Sequence, residues 1–226
     1  MRYLSLALYA EGPTDHVFLQ SILYRLTHET AFRISDRPVE IAEAFVRGVP
    51  SGAASARKDR IEQVFGKALS SNAINLLFLH TDGGSDEAAA RRERIEPFSN
   101  YAKSQWPSVL CVPVVPVRET EAWAIADTSA LIADLGTRKS AADLGLDELP
   151  LQAEREPSPK AKLRRAQDLV RQGRRARTKQ GIEGIPAGLG ARVRLDNLRQ
   201  LSAFKTLEND LEQALNALWP LEDIPP

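Results

Sequence analysis

The chain has 226 residues, of which 43% are hydrophobic and 27% are charged, and this composition is typical of a globular protein with a buried core. Its single cysteine excludes a disulfide framework and a cysteine-based zinc site, and no run reaches the roughly 18 apolar residues that span a bilayer, so we expect a cytoplasmic protein without membrane contact. Thirty Lys and Arg balance thirty Asp and Glu, and this zero net charge excludes a uniformly basic nucleic-acid-binding surface.

The beginning of the chain predicts a strand, a tight turn and a helix. The nearly continuous apolar run from Tyr3 to Ala10 is typical of a strand buried on both faces, and it stops at Glu11. Thr14 is suited to cap a helix that has Asp15 in its first turn and apolar residues at helical spacing up to Leu26.

The middle of the chain predicts two further units of a strand and a helix. A second or edge strand is expected over Val39–Val46, followed by a helix from about Arg57 to Ser70. The clearest buried strand is Ala73–Leu79, which runs into the sequence HTDGG. Ser85 or Asp86 then caps a helix that continues to about Lys103.

The second half of the chain predicts one more strand and then helices. Val109–Val117 is expected to be a strand that contains Pro113 and Pro116. Because proline cannot donate a backbone hydrogen bond, either this strand lies at an edge of the sheet or its prolines lie at the ends of the strand. Helices are expected from about Arg118 to Asp134, from Lys160 to about Gln172, and near Asn197–Leu218. The fold class is therefore α/β, with a mostly parallel, doubly wound sheet of about four strands over residues 1–150 and a helical, basic extension over residues 151–226.

Basic residues are concentrated in the predicted extension. From Lys160 to Arg194 there are eleven Lys or Arg against two acidic residues, a net charge of +9, so the remainder of the chain carries −9. Such a segment can attract a DNA or RNA backbone. The candidate nucleic-acid contacts are Arg171, Arg174, Arg175, Arg177 and Lys179. A solvated helix face and docking to an acidic partner protein are the alternatives.

Acidic residues follow three separate predicted strands. Glu11 follows the first strand, Asp82 follows the central strand, and Glu119 and Glu121 follow the Val109–Val117 strand. Ligands of open α/β sheets bind at the carboxyl ends of the strands, where crowded carboxylates are stabilised by a cation. Oxygen ligands without a Cys or His cluster favour Mg²⁺ or Mn²⁺, and such an ion suits phosphoryl transfer or phosphodiester cleavage.

Three segments carry a family resemblance: EGPTDHVFL, LFLHTDGGSDEA and PVVPVRETEAW. Together they resemble a Toprim domain, in particular the small Toprim-like proteins related to overcoming-lysogenisation-defect nucleases of bacterial defence loci. The resemblance covers about residues 3–127 and implies a Toprim or Rossmann-like fold with Mg²⁺-dependent cleavage or transfer at DNA or RNA phosphates. The usual aspartate motif reads DxD, whereas this chain has Gly84 at the second aspartate and Asp86 two residues later. This departure favours one metal ion over two.

The resemblance assigns roles to individual residues. It implies that Glu11 is a metal ligand or general acid/base, that Asp82 is the principal ligand, and that Asp86 and Glu121 complete the site. Glu11 and Asp82 are therefore the catalytic candidates. Further supporting candidates are Asp15, His80, Arg118 and Glu119. The chain has no GxxxxGK[ST] motif, so any ATPase that gates the activity is expected to be a separate polypeptide.

Each candidate also has a purely structural interpretation. Asp15 and Asp86 suit helix caps, Asp82 before two glycines suits a turn, and His80 suits a buried structural histidine as well as a ligand or base. The second functional hypothesis is a non-catalytic adaptor or sensor of Toprim-like fold that binds a partner protein or a nucleotide, which the missing second aspartate favours. A homo-oligomer is compatible with the sequence.

Overall fold

A computed structural model describes residues 1–42, 66, 69–70, 73–146, 152–172 and 184–220. It contains the strands β1 (Arg2–Tyr9), β2 (Val39–Ala42), β3 (Leu76–His80) and β4 (Leu110–Val114). The strand order is β2-β1-β3-β4, and every neighbouring pair is parallel. The predicted α/β class with a parallel sheet of about four strands is thus confirmed for this part of the chain.

Helices lie between the strands and follow the last strand. Between β1 and β4 the described helices are α1 (Pro13–Ile34), α2 (Glu87–Ala90) and α3 (Glu96–Gln105), with a π-helical segment (Arg91–Ile95) between α2 and α3. After β4 come α4 (Glu121–Ala126), α5 (Thr128–Asp134), α6 (Ala141–Leu144), α7 (Pro159–Gln172), α8 (Leu189–Arg192), α9 (Leu195–Leu198) and α10 (Ser202–Leu218). None of the described helices combines the length and the apolar character needed to cross a membrane.

Both faces of the sheet are covered, which explains the continuous apolar run at the start of the chain. Leu4, Leu6 and Leu8 of β1 belong to a buried cluster that includes residues of α1 and α10. Ala7 and Tyr9, on the opposite face, belong to a second cluster that includes residues of α3. A strand buried on both sides needs apolar residues at every position, because its side chains alternate between the two faces.

Helices beyond the predicted boundary at residue 150 share the core of the sheet. Leu163 of α7 and Phe204 of α10 are almost completely buried, and both belong to the cluster that contains Leu6. Phe204 meets the ring of Trp123 edge-on, with the ring centroids 5.2 Å apart. The helices that the sequence assigns to an extension therefore pack against the sheet, while the boundary itself stays a prediction.

Two helix predictions were wrong in detail. Thr14 does not cap α1; the helix begins at Pro13 after Gly12, because proline at the first helical position has no N–H to leave unsatisfied. Asp15 lies in the first turn, as expected. The segment predicted as one helix up to Asp134 is two helices, because the backbone of Asp127 leaves the helical region between α4 and α5.

The predicted edge strands lie at the edges of the sheet. β4 carries Pro113 and pairs only with β3 in the described sheet, as its prolines indicated. β2 pairs with β1 at the other edge, and residues 43–46 of the predicted second strand lie outside the described residues. The predicted helix over residues 57–70 also lies outside them, apart from the helical positions 66 and 69–70.

A buried carboxylate between α4 and α5 joins the two parts of the chain. The side chain of Asp127 is fully buried and accepts hydrogen bonds from the backbone N–H groups of Ala130 (3.1 Å) and Arg194 (3.0 Å). It also accepts from Nε and one terminal nitrogen of the Arg194 guanidinium at 2.8 and 3.0 Å. Burial acts to raise the pKa of Asp127, but the hydrogen bonds from Arg194 and Ala130 outweigh it and hold the pKa below its usual range.

Asp127→Asn should lower the free energy of unfolding at pH 7 by about 1–3 kcal/mol, because a charge-assisted, bidentate interaction is lost. The pKa of Asp127 is depressed in the folded state, so its contribution is complete above the unfolded pKa of about 3.9 and is lost as the pH falls through the lower folded value. Urea unfolding of both proteins between pH 7 and pH 3 measures this. A difference that does not shrink below about pH 4 would contradict the assignment to the Asp127 charge.

Candidate functional site

The residues that follow β1, β3 and β4 meet at one edge of the sheet, called here the carboxyl edge. The hydroxyl of Thr81 donates to Oε1 of Glu11 at 2.9 Å, which joins the end of β3 to the end of β1. The N–H of Thr120 donates to Oδ1 of Asp82 at 3.2 Å, which joins the segment after β4 to the end of β3. The sequence-based expectation that Glu11 and Asp82 lie at a common edge therefore agrees with the geometry.

His80 lies at the centre of these contacts and is fully buried. Its Nδ1 accepts from the N–H of Glu11 at 3.4 Å, so the ring hydrogen resides on Nε2. Nε2 lies 2.9 Å from the hydroxyl oxygen of Thr120 and 3.6 Å from Oδ1 of Asp82. A buried ring with both nitrogens engaged holds its neighbours in position, which supports the structural interpretation of His80.

Asp15 reaches the same place from the first turn of α1. The buried Thr120 hydroxyl donates to the carboxylate of Asp15, while its N–H binds Asp82, so one residue holds two carboxylates together. Gly12 leaves room for this arrangement, because a Cβ atom at position 12 would lie 2.7 Å from Oδ2 of Asp15. The close approach of the Asp15 carboxylate to Gly12 therefore explains why glycine and aspartate occur together in the sequence EGPTD.

The two carboxylates have pKa values shifted in opposite directions. Burial and the nearby charge of Asp82 raise the pKa of Asp15, against the opposing effects of His80, Thr120 and Lys160. Burial also acts to raise the pKa of Asp82, but His80, the Thr120 N–H and Lys160 outweigh it and hold the pKa below its usual range. Asp82 is therefore the carboxylate that stays ionised most readily, and Asp15 the one that holds a proton more readily.

Glu121 supplies the third carboxylate, from the first position of α4. Its side chain is 7% exposed, and Oε1 lies 3.7 Å from Nζ of Lys160. Burial and the charges of Glu119 and Asp15 raise the pKa of Glu121, while Lys160 opposes the rise. Asp15, Asp82 and Glu121 are called the acidic cluster below, and Lys160 acts electrostatically on all three.

Glu119 and Glu11 have other partners close to the acidic cluster. Glu119 accepts a hydrogen bond from the backbone N–H of Lys160 at 2.7 Å, so it holds the first turn of α7 against the carboxyl edge. Glu11 is exposed and bound by Thr81, whose hydroxyl oxygen also accepts from the Arg94 guanidinium at 3.3 Å. Arg94 donates in addition to the carbonyl oxygen of Asp82 at 3.2 Å.

Asp86 and the two glycines before it have structural roles at this edge. Asp86 is exposed and caps α2 by accepting from the N–H of Ala89 at 2.9 Å, as its helix-cap interpretation predicted. Gly84 has a φ of 61° and exchanges two backbone hydrogen bonds of 2.9 Å with Arg118, whose own φ is 63°. The position of the second DxD aspartate is thus occupied by a residue whose left-handed conformation suits glycine best.

A cleft of about 690 Å³ opens beside the acidic cluster, between α7 and the segment after β4, and is called the α7 cleft. Its charged lining residues are Arg118, Glu119, Glu121, Lys160, Arg164 and Arg171, and its other lining residues are Gly84, Ser85, Pro157, Ser158, Pro159, Ala161, Leu163, Gln167 and Gly184. Cations exceed carboxylates on its walls, four to two.

Of the predicted nucleic-acid contacts, the structure places Arg171 in the α7 cleft. Arg171 also pairs with Asp168 at 3.3 Å. The other candidates, Arg174, Arg175, Arg177 and Lys179, lie outside the described residues. Sequence reasoning missed the hydroxyls of Thr81 and Thr120 and the role of Lys160 beside the acidic cluster. The available signal for the two threonines was that each directly precedes a candidate acidic residue, Asp82 or Glu121.

The carboxyl edge offers a divalent ion a small set of protein ligands. Among residues 1–42, 73–146, 152–172 and 184–220, no three His, Cys, Asp or Glu side chains form a group that could hold a metal ion. Asp15 and Asp82, which share Thr120, form a pair of carboxylates. Mg²⁺ often binds through one or two carboxylates with waters and substrate phosphate completing its six ligands, and this pair fits that kind of site but not a closed protein cage.

The chain has no significant match among protein-family models, curated proteins or solved structures.

Gly83→Ala should lower the free energy of unfolding by about 1–3 kcal/mol, because an added Cβ would lie 2.6 Å from the backbone oxygen of Pro116 and would force the ends of β3 and β4 apart. Ser85→Ala is the control, since Ser85 is exposed and its change should stay within about 0.5 kcal/mol. Chemical denaturation measures both. Equal stability of Gly83→Ala and the wild type would show that the carboxyl edge is loosely packed.

Proposed function

We propose that the protein is a Mg²⁺- or Mn²⁺-dependent phosphodiesterase of Toprim-like type, a nuclease that acts on DNA or RNA. The observation that carries the proposal is the acidic cluster: carboxylates from α1, the end of β3 and the start of α4 converge beside a cleft with an excess of cations. The three Toprim-like segments, which supply Glu11, Asp15, Asp82 and Glu121, support the same conclusion.

Asp82 is best suited to hold the metal ion, because its pKa is lowered and its carboxylate stays charged at neutral pH. Asp15 is its partner in the pair, and Glu11 and Glu121 lie next to them at the same edge. Bound Mg²⁺ would neutralise charge on a phosphate and lower the pKa of a water molecule.

The protein residues also prepare the site for a phosphate. His80 and Thr120 fix the orientation of Asp15 and Asp82, so these carboxylates need little rearrangement when substrate binds. Lys160 offsets part of the repulsion among the acidic cluster and reaches the α7 cleft, where it can contact a phosphate oxygen. A role in phage defence together with a separate ATPase follows from the resemblance and from the lack of a P-loop motif in the sequence.

Two observations favour a second candidate, a non-catalytic adaptor or sensor that binds a partner protein or a nucleotide. Gly84 replaces the second aspartate of the DxD motif, and Lys160 already supplies a positive charge where a metal ion would act. In such a protein the carboxyl edge would bind a partner protein or a nucleotide but would not cleave a phosphodiester bond. The two candidates make opposite predictions for the same experiment.

Cleavage of labelled DNA and RNA in Mg²⁺ or Mn²⁺, with and without any co-encoded ATPase, should fall by about 100-fold or more in Asp82→Asn and Glu11→Gln. The reason is that a lost metal ligand removes several kcal/mol of transition-state stabilisation. Glu93→Gln, an exposed change outside the carboxyl edge, should leave the rate unaltered within about twofold.

The outcomes separate the candidates. Equal rates in wild type, Asp82→Asn and Glu11→Gln, or no metal-dependent cleavage at all, would reject the phosphodiesterase and leave the adaptor. Asp86→Asn tests the resemblance further: asparagine can also cap α2, so activity should persist if Asp86 is only a cap. A loss of cleavage rate as large as that of Asp82→Asn would instead identify Asp86 as a metal ligand.

A further inference from the structure

One face of α7 presents its cations to the α7 cleft. Lys160, Arg164 and Arg171 all line the cleft, and their spacing of four and seven residues places them on one side of the helix. Arg165 follows Arg164 directly and is also exposed, but it does not line the cleft, since one residue turns the helix by about 100°. The cationic wall is therefore a specific face of α7 and not the whole helix.

Arg118 lines the same cleft, and its side chain contains an unsatisfied donor. Its Nε atom is buried and has no hydrogen-bond partner among the described residues. The backbone of Arg118 is held at a φ of 63° by its two hydrogen bonds to Gly84, a conformation that costs free energy for a residue with a side chain. A buried guanidinium donor without a partner is stabilised when an anion enters beside it.

The carboxylates of the α7 cleft are already partnered, and so is Arg171, which pairs with Asp168. Glu119 binds the backbone N–H of Lys160, and Glu121 lies beside the Lys160 ammonium group. Arg164 forms no ion pair with any described residue, and the guanidinium of Arg118 retains its free Nε. The uncompensated charge of the cleft is therefore positive, although the chain as a whole is neutral.

The rest of the lining is apolar and of a size that suits a nucleotide. Leu163, Ala161, Pro157 and Pro159 contribute apolar surface next to the cations. A volume of about 690 Å³ lies within the range of pockets that hold nucleotide-sized ligands. A cationic wall beside an apolar wall fits a phosphate with its attached sugar and base better than it fits an isolated inorganic anion.

We propose that the α7 cleft binds one nucleotide unit of a single-stranded nucleic acid, with its phosphate on Arg164, Arg118 and Lys160 and its sugar and base against the apolar lining. An unpaired strand is specified because a base can enter a pocket only when it is free of its duplex partner. The proposal rests on the proposed function for the identity of the ligand. The proposal specifies which part of the substrate lies beside the acidic cluster. Lys160 and Glu121 line the α7 cleft and also lie at the acidic cluster, so a nucleotide in the cleft would be next to the cluster.

Binding of fluorescein-labelled dT₁₂ and rU₁₂, measured by fluorescence anisotropy in EDTA over a range of salt concentrations, tests the cleft directly. Arg164→Gln should weaken binding about three- to tenfold and reduce the slope of log affinity against log salt by about 0.7, as expected for one lost phosphate contact on a single strand. Arg165→Gln is the matched control, with the same charge change at the neighbouring position, and should retain affinity within about twofold. Thymidine 5′-monophosphate as competitor distinguishes a free nucleotide from a strand as the preferred source of the phosphate.

Equal losses in Arg164→Gln and Arg165→Gln, no loss in Arg164→Gln, or no binding of either probe by the wild type would overturn the proposal. Both substituted residues are exposed, so folding should be unaffected, and thermal unfolding of the variants checks this. Because EDTA removes divalent metal ions, binding is measured without cleavage. The cleft proposal and the phosphodiesterase proposal can therefore fail separately. Arg164-dependent binding without metal-dependent cleavage would reject only the phosphodiesterase, and cleavage with Arg164-independent binding would reject only the cleft.

Discussion

The parallel direction of β1, β3 and β4 is the constraint on which the candidate site depends. Parallel pairing brings the carboxyl ends of these strands to one edge, so residues far apart in sequence become neighbours there. Glu11 and Thr81, 70 residues apart, share a hydrogen bond, and Thr120 binds Asp82 across 38 residues. The strands themselves hold because helices bury both faces of the sheet.

This arrangement concentrates negative charge in a partly dehydrated place. Burial raises the pKa of Asp15 and of Glu121, whereas contacts to His80 and Thr120 keep the pKa of Asp82 low. The carboxylates are held together by contacts with His80 and Thr120 and by the ammonium group of Lys160 from α7. Such a site gains stability from added positive charge, which is the physical basis for expecting a cation there.

The helices after β4 decide what can reach this edge. α7 places Lys160 against Glu121 and forms one wall of the cleft, while Arg194, just before α9, binds the buried Asp127. Because residues of α7 and α10 are part of the core that contains β1, the cationic wall is held in place by packing. The basic character seen in the sequence thus becomes a surface beside the acidic cluster.

Hydrophobic runs and turn residues are local signals, and they predicted the four strands of the described sheet and the acidic strand ends at Glu11 and Asp82. The break between α4 and α5 was less predictable, because the backbone conformation of Asp127 accompanies its contact with the distant Arg194. The position of Lys160 beside the acidic cluster, by contrast, is visible only in the folded chain. The pairing of such a charge with its partner depends on packing between distant segments, which no local pattern encodes.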